Sequence, residues 1–239
     1  MERLQKKIAS LGYCSRRKAE ELITKGLVEV NGDVVTKLGT TVKPGDVITV
    51  EGNILDNSKA FEYYLLNKPK GVVTTTNDEK GRTTVIDLID TNTRIYPVGR
   101  LDYDTTGILI LTNDGELANL LASPNSMIDK TYIAKIEGQI SIPSIQMLRK
   151  GIVIDGVKTK RARVKLKSVD KKKDTSIVEI TIHEGKNHQV KKMFEKTGHK
   201  VIKLRRERYA NLNLKGLMPG EYRPLSIKEV KVLYSLCKK

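Results

Sequence analysis

Gly99-Arg100-Leu101-Asp102-Tyr103-Asp104-Thr105-Thr106-Gly107, running straight into Ile108-Leu109-Ile110-Leu111, is the stretch on which the reading of this chain turns. An aliphatic run bounded by Gly107 on one side and Thr112-Asn113-Asp114-Gly115 on the other describes a buried strand. The polar turn ahead of it therefore sits at the lip of a rigid sheet, a place that suits a catalytic carboxylate. It also suits a turn-forming aspartate that bonds its own backbone. The turn alone leaves both readings open.

Outward from that strand, candidate strands fall at 61–66, 71–75, 131–137, 152–154, 162–168, 176–182 and 200–205, with helices at about 115–122, 143–150, 188–197 and 226–236. The last opens with Ser226 followed by Glu229, a capping-box pattern. Strands outnumber helices and do not alternate strictly with them, so an α+β domain on a mainly antiparallel mixed sheet is expected.

The N-terminal part reads differently. Leu4, Ile8 and Leu11 recur at helical spacing, and Ser15 is a plausible N-cap for a second helix with Ala19, Leu22 and Ile23 as its buried stripe and Gly26 as its stop. Asn31-Gly32 between apolar residues signals a hairpin, and Pro44-Gly45 a further turn before Val47-Ile48-Thr49-Val50. Residues 51–60 are polar and turn-rich, which places a linker there and divides the 239 residues into a small domain, 1–58, and a large one, 60–239.

The formal charge of +16 points to an anionic polymer as partner more readily than to a small acidic substrate, with general solubility as the other reading. Residues 1–58 carry nine Lys/Arg against eight Asp/Glu, so nearly all of the excess belongs to the larger part, where 158–173 hold nine bases and one acid and 186–208 hold nine and two. Arg16, Arg17 and Lys18 cluster at a helix start, where cations oppose the helix dipole; a phosphate in front of them would relieve that cost. Lys203, Arg205, Arg206 and Arg208 on a late strand are expected to line one face as an electrostatic track.

Cys14 and Cys237 lie at opposite ends and form neither a CxxC pair nor a disulfide framework, which fits a reducing compartment. No signal-peptide core and no apolar stretch of membrane-spanning length is found, so a cytoplasmic protein is expected. His183, His188 and His199 make no recognisable metal-ligand set.

Taken together, the Gly99–Gly107 run, Lys130-Thr131-Tyr132-Ile133 and His183-Glu184-Gly185-Lys186-Asn187-His188-Gln189-Val190-Lys191-Lys192-Met193-Phe194 resemble the signature stretches of the RsuA/RluB family of bacterial rRNA pseudouridine synthases. The opening Met1-Glu2-Arg3-Leu4-Gln5-Lys6 and Ser15–Ile23 resemble that family's S4 RNA-binding domain, and the likeness spans essentially the whole chain.

The resemblance implies a small S4-like domain and a pseudouridine-synthase catalytic domain that isomerises uridine to pseudouridine in ribosomal RNA without cofactor or metal. Asp102 matches the essential aspartate, acting at the ribose either as nucleophile or as a base leading through a glycal. Tyr132 matches the tyrosine that stacks on the base and helps remove its C5 proton, and Lys191 matches the basic residue paired with the aspartate, where many relatives carry arginine.

A uridine in folded RNA must be flipped out before its sugar is reachable. Arg100 then contacts phosphate or fills the gap, with an ion pair to Asp104 as the other option, while Asp104 braces the turn. Lys186, His188, Lys192, Arg205, Arg206 and Arg208 join Arg16, Arg17 and Lys18 as expected RNA contacts, and Asn67-Lys68-Pro69-Lys70-Gly71 reads as a loop with both lysines facing out. The expected partner is ribosomal RNA or a pre-ribosomal particle, met by a monomer. The opening residues, 94–104 and Ile128-Asp129-Lys130-Thr131-Tyr132 look closest to the branch acting on large-subunit 23S rRNA. His188–Met193 and Pro219–Leu225 also resemble the small-subunit 16S branch. A ribosome-assembly RNA binder without chemistry is the rival from another class.

Overall fold

The aliphatic run lies inside the strand Thr106–Thr112, which is buried from Gly107 to its end. It pairs antiparallel with Tyr63–Lys68, Leu65 facing Ile110, and on its other side runs parallel to Val201–Tyr209, Arg206 facing Gly107. Covered on both sides, the strand has no need of polar alternation, which is why the sequence there is uniformly apolar.

The computed structural model describes residues 1–56, 60–123 and 126–237. The chain divides into one unit of Met1–Glu62 with Thr91–Ile95 and Asn113–Gly115, and a second of Tyr63–Asp90, Tyr96–Thr112 and Glu116–Lys239. Residues 57–59 of the expected linker lie outside the described residues.

In the first unit, helices Leu4–Ser10 and Arg16–Thr24 pack with a four-stranded sheet of order Asp33–Val34, Val28–Val30, Ile48–Val50, Asn53–Ile54. Leu4, Ile8, Ala19, Leu22, Ile23, Val28, Ile48 and Val50 form its core. Ser15 caps the second helix by accepting from Lys18 N at 3.1 Å, and Asn31 and Gly32 take positive φ (55° and 90°) to close the hairpin.

The second unit is built on a nine-stranded mixed sheet, antiparallel except for that one parallel pair. Its main path runs Arg163–Asp170, Thr175–Ile182, Lys130–Glu137, Val201–Tyr209, Thr106–Thr112, Tyr63–Lys68, Tyr222–Pro224. Helices Gly115–Ala122, Ile142–Lys150, Gln189–Glu195 and Ile227–Cys237 match the expected positions within a few residues. The expected capping box is present, Ser226 N donating to Glu229 at 2.8 Å.

The strand expected at 71–75 does not form. Only Val73 makes a bridge, to Thr84, because Gly71 N is committed to Tyr103 O and the Thr74 hydroxyl to Leu101.

Directly opposed residues of an antiparallel ladder point to the same face. Val164, Ile180, Tyr132 and Arg206 form one such row and are all buried. The next row, Lys165, Glu179, Ile133 and Arg205, belongs to the opposite face. A bulge leaves Glu207 as the extra residue between Arg206, opposite Tyr132, and Arg208, opposite Thr131, so Arg208 turns to the Arg205 side. This corrects the expected track: Lys203, Arg205 and Arg208 share a face, and Arg206 points the other way, inside.

Candidate active site

The Arg100–Thr105 turn is clamped from beneath. The Thr74 hydroxyl donates to Leu101 O at 2.7 Å and receives Leu101 N at 3.3 Å, and Thr105 N closes the turn on Asp102 O at 3.0 Å. Lys68 completes the clamp. Its ammonium is fully buried and donates to Asp102 O (3.1 Å), Thr105 O (3.0 Å) and Pro69 O (3.1 Å). Burial pushes the Lys68 amine down to about 8, against the opposing pull of the Asp102 and Asp104 charges. The loop reading of 67–71 therefore holds for exposed Lys70 and fails for Lys68, whose strand pairs it with Gly107.

The base comes from a distant helix. Gln189, buried just inside Gln189–Glu195, accepts from Lys186 N at 3.0 Å and donates to Glu184 Oε1 at 2.6 Å, folding the 184–188 loop back on the helix. His188 takes the left-handed φ of 51° there, and Lys191 emerges one turn later.

Lys191 Nζ stands 3.0 Å from Asp102 Oδ2 and 2.6 Å from Asp104 Oδ1. Burial pulls the lysine's pKa down, but its bonds to Asp104 and Asp102 outweigh that and leave it raised. The Lys191 bond holds the Asp104 carboxyl below its usual range. His188 Nε2 lies 3.4 Å from Asp102 Oδ1, too far for a good hydrogen bond.

Tyr132 is 8% exposed, and its hydroxyl is 3.5 Å from Arg206 Nη1. Arg206 is fixed by donating Nε to Ile108 O at 2.8 Å and by lying 5.2 Å from the Tyr209 ring centre, while its buried Nη2 has no hydrogen-bond partner among the described residues. Gly107 makes this possible. With φ +107°, it brings the two backbones so close that a Cβ would lie 2.2 Å from Arg206 O.

Asp102, Tyr132 and Lys191 line one open cleft of about 80 Å³, together with Arg100, Lys186 and His188. Leu101, Ile182, Val190 and Leu204 form its apolar walls. A larger hollow of about 440 Å³ beside Met127 and Leu236 has Asp129 as its one ionisable lining group and offers no comparable chemistry.

The other expected contacts are placed elsewhere. Lys192 pairs with Asp155 of the hairpin Val153–Lys158. Arg205 and Arg208 stand on the opposite face of the sheet, and Arg206, buried behind Tyr132, is not on the surface at all. Arg16, Arg17 and Lys18 are exposed at their helix start in the other unit, Lys18 pairing with Glu21 at 3.2 Å. Arg100 does not pair with Asp104, whose partner is Lys191.

Sequence reasoning missed Lys68, Thr74, Gln189 and the inward Arg206. Lys68 carried a signal in closing a buried run, Leu65-Leu66-Asn67-Lys68. Thr74 and Gln189 carried none.

The structure thus brings an acid, a base from far along the chain and a tyrosine to one cleft on an α+β sheet, the trio that the resemblance to the pseudouridine synthases singles out. The family described as RNA pseudouridylate synthase matches residues 62–196, and the S4 domain matches residues 2–48. The chain is 55% identical over 240 residues to the ribosomal large subunit pseudouridine synthase B of Bacillus subtilis (strain 168), covering 99% of this chain and 97% of that protein. It is 37% identical over 236 residues to a dual-specificity RNA pseudouridine synthase of Escherichia coli (strain K12), covering 98% and 79%. A crystal structure of a pseudouridylate synthase superposes with a TM-score of 0.69 at 33% identity, covering 98% of this chain and 100% of that one. The chain belongs to the RNA pseudouridylate synthase family, with an S4 domain at its N-terminus.

Proposed function

We propose that this enzyme isomerises a specific uridine of large-subunit 23S ribosomal RNA, with residues 1–58 helping to dock the RNA and residues 60–239 carrying the chemistry. The 55% identity to a large-subunit enzyme over nearly the full length of both chains supports that substrate. The observation that carries the chemical assignment is Lys191 at 3.0 Å from Asp102 in a cleft that Tyr132 also lines.

The reaction breaks the bond from ribose C1′ to base N1, turns the uracil in place, joins C1′ to C5 and moves the C5 proton away while N1 gains one. No electrons are exchanged with an outside group, so the side chains suffice. Asp102 works at C1′ of a flipped-out nucleotide, and Lys191 holds and aims its carboxylate from 3.0 Å. Tyr132 stacks on the uracil and assists loss of the C5 proton. Arg100, Lys186 and His188 at the rim meet phosphates, as do Arg16, Arg17 and Lys18 of the docking domain. The enzyme acts as a cytoplasmic monomer on rRNA or an assembling particle.

Asp102→Asn should bind rRNA transcripts as the native protein does and release no tritium from C5-labelled uridine. Equal turnover would remove Asp102 from this role.

A further inference from the structure

On the face of the large sheet opposite the cleft, Lys135 stands directly across from Lys203, Arg205 lies two residues along with Lys165 in its row, and Arg208 stands one row beyond. That these residues share a face is fixed independently by Thr131 and Thr181 of the same side, whose hydroxyls meet at 2.9 Å. Lys165, Lys203, Arg205 and Arg208 are exposed and Lys135 is half-buried.

Acids are present but leave most of these cations uncompensated. Glu207 pairs with Arg205 at 3.1 Å, Asp129 with Arg163, and Glu179, directly across from Lys165, reaches Lys167 at 3.9 Å, while Glu137 stands at the strand end. Lys135, Lys165, Lys203 and Arg208 make no ion pair with any described residue. Like charges placed directly across a ladder destabilise it. The repulsion between Lys135 and Lys203 is one that an anion outside the protein would relieve.

We propose that this face is a second RNA-binding surface, holding the phosphate backbone of an rRNA segment other than the one whose nucleotide enters the cleft. Tyr132, Ile182 and Leu204, which line the cleft, project from the other side of the same strands. A nucleotide seated there, and its immediate neighbours, are separated from Lys135 and Lys203 by the thickness of the sheet. Only RNA that passes around the sheet, or a second helix of the folded substrate, reaches both. The charges are open to solvent and the row lacks exposed aromatics for base stacking, so the contact reads backbone and shape rather than sequence. The inference rests on the function proposed above.

The test is the triple variant Lys135→Gln, Lys165→Gln, Lys203→Gln in the full chain, with Lys228→Gln, Lys231→Gln on the terminal helix as a comparison that removes two charges elsewhere. The probes are transcripts of whole 23S rRNA domains and a short hairpin cut from one of them, with binding measured across a salt series. For a domain transcript, the slope of log affinity against log salt should fall by about two to three in the triple variant, while the hairpin slope stays within about half a unit of native. The comparison variant should change neither by as much.

Equal losses on both RNAs, or none on the domain transcript, would overturn the proposal. Relief of the Lys135/Lys203 repulsion should also raise the thermal midpoint at low salt; a fall would count against it. Pseudouridine formation by the native protein is scored in the same samples, so absence of product speaks against the proposed reaction and leaves the binding comparison intact.

Discussion

Lys68→Met removes a buried ammonium while nearly conserving side-chain volume, so what it tests is the clamp under the Arg100–Thr105 turn. The native group donates to Pro69 O, Asp102 O and Thr105 O at 3.0–3.1 Å. Asp102 O keeps its bond from Thr105 N, whereas the other two carbonyls lose a charged donor in a buried place. At about 1–3 kcal/mol for each carbonyl left short, offset in part by no longer burying a charge, the net loss of stability should be about 2–4 kcal/mol. Loosening the turn by an ångström should lower kcat about 10²-fold with little change in KM, because RNA is still bound at the rim.

Urea unfolding and tritium release under single-turnover conditions measure the two effects. A pH series adds a third. The folded amine titrates at about 8 and the unfolded one near 10.4, so between those values the unfolded chain holds the extra proton and stability rises with pH. The methionine variant should lack that rise. A variant with native kcat and an unchanged urea midpoint would refute the clamp.

Gly107→Ala should cost about 3–5 kcal/mol, since the new Cβ meets Arg206 O at 2.2 Å on a backbone at φ +107°; a thermal midpoint within a degree or two of native would contradict the close approach. Asp104→Asn takes the shorter of the two carboxylate contacts from Lys191 and should lower the lysine's pKa, visible as a downward shift of the alkaline limb of kcat; an unmoved limb would mean that Asp104 does not tune it. Glu229, bonded to Arg223 and the Ser226 cap, is held at about 2, below its unfolded value near 4.3. Its stabilisation is present above that value and lost as pH falls through about 2, so Glu229→Gln should flatten the acid side of the stability curve. An unflattened curve would show that the cap carries no such linkage.

The sequence was most legible where one periodicity dominates. Helix 115–122, the Ser226 cap, the Asn31-Gly32 hairpin and the strand after Asp102 all follow from local pattern, and the structure has each of them. Two kinds of feature were not legible. The placing of Arg208 with Arg205 and not with Arg206 depends on the Glu207 bulge, an extra residue that flips every later side chain and leaves no mark in a run of bases. Lys68 was misread because a lysine beside proline and glycine looks like a surface loop. What buries it is a set of carbonyls, two of them contributed by a turn more than thirty positions away.

The same remoteness explains why the site itself was read from resemblance and not from spacing. Asp102 and Lys191 are brought together by the parallel strand pair that seats Gly107 against Arg206 and by the Gln189 bonds that turn the following helix. The outcome is specific. Lys191 is shared between two carboxylates and lies closer to Asp104, so a single Asp102 oxygen, Oδ2, accepts its proton. The other, Oδ1, has His188 at 3.4 Å as its nearest polar partner among the described residues. A carboxylate fully engaged by a two-pronged cation would be stable and idle. Held by one oxygen, with its backbone pinned from below by Lys68, Asp102 leaves its second oxygen without a close partner among the described residues, which is what the role proposed for it at the sugar requires.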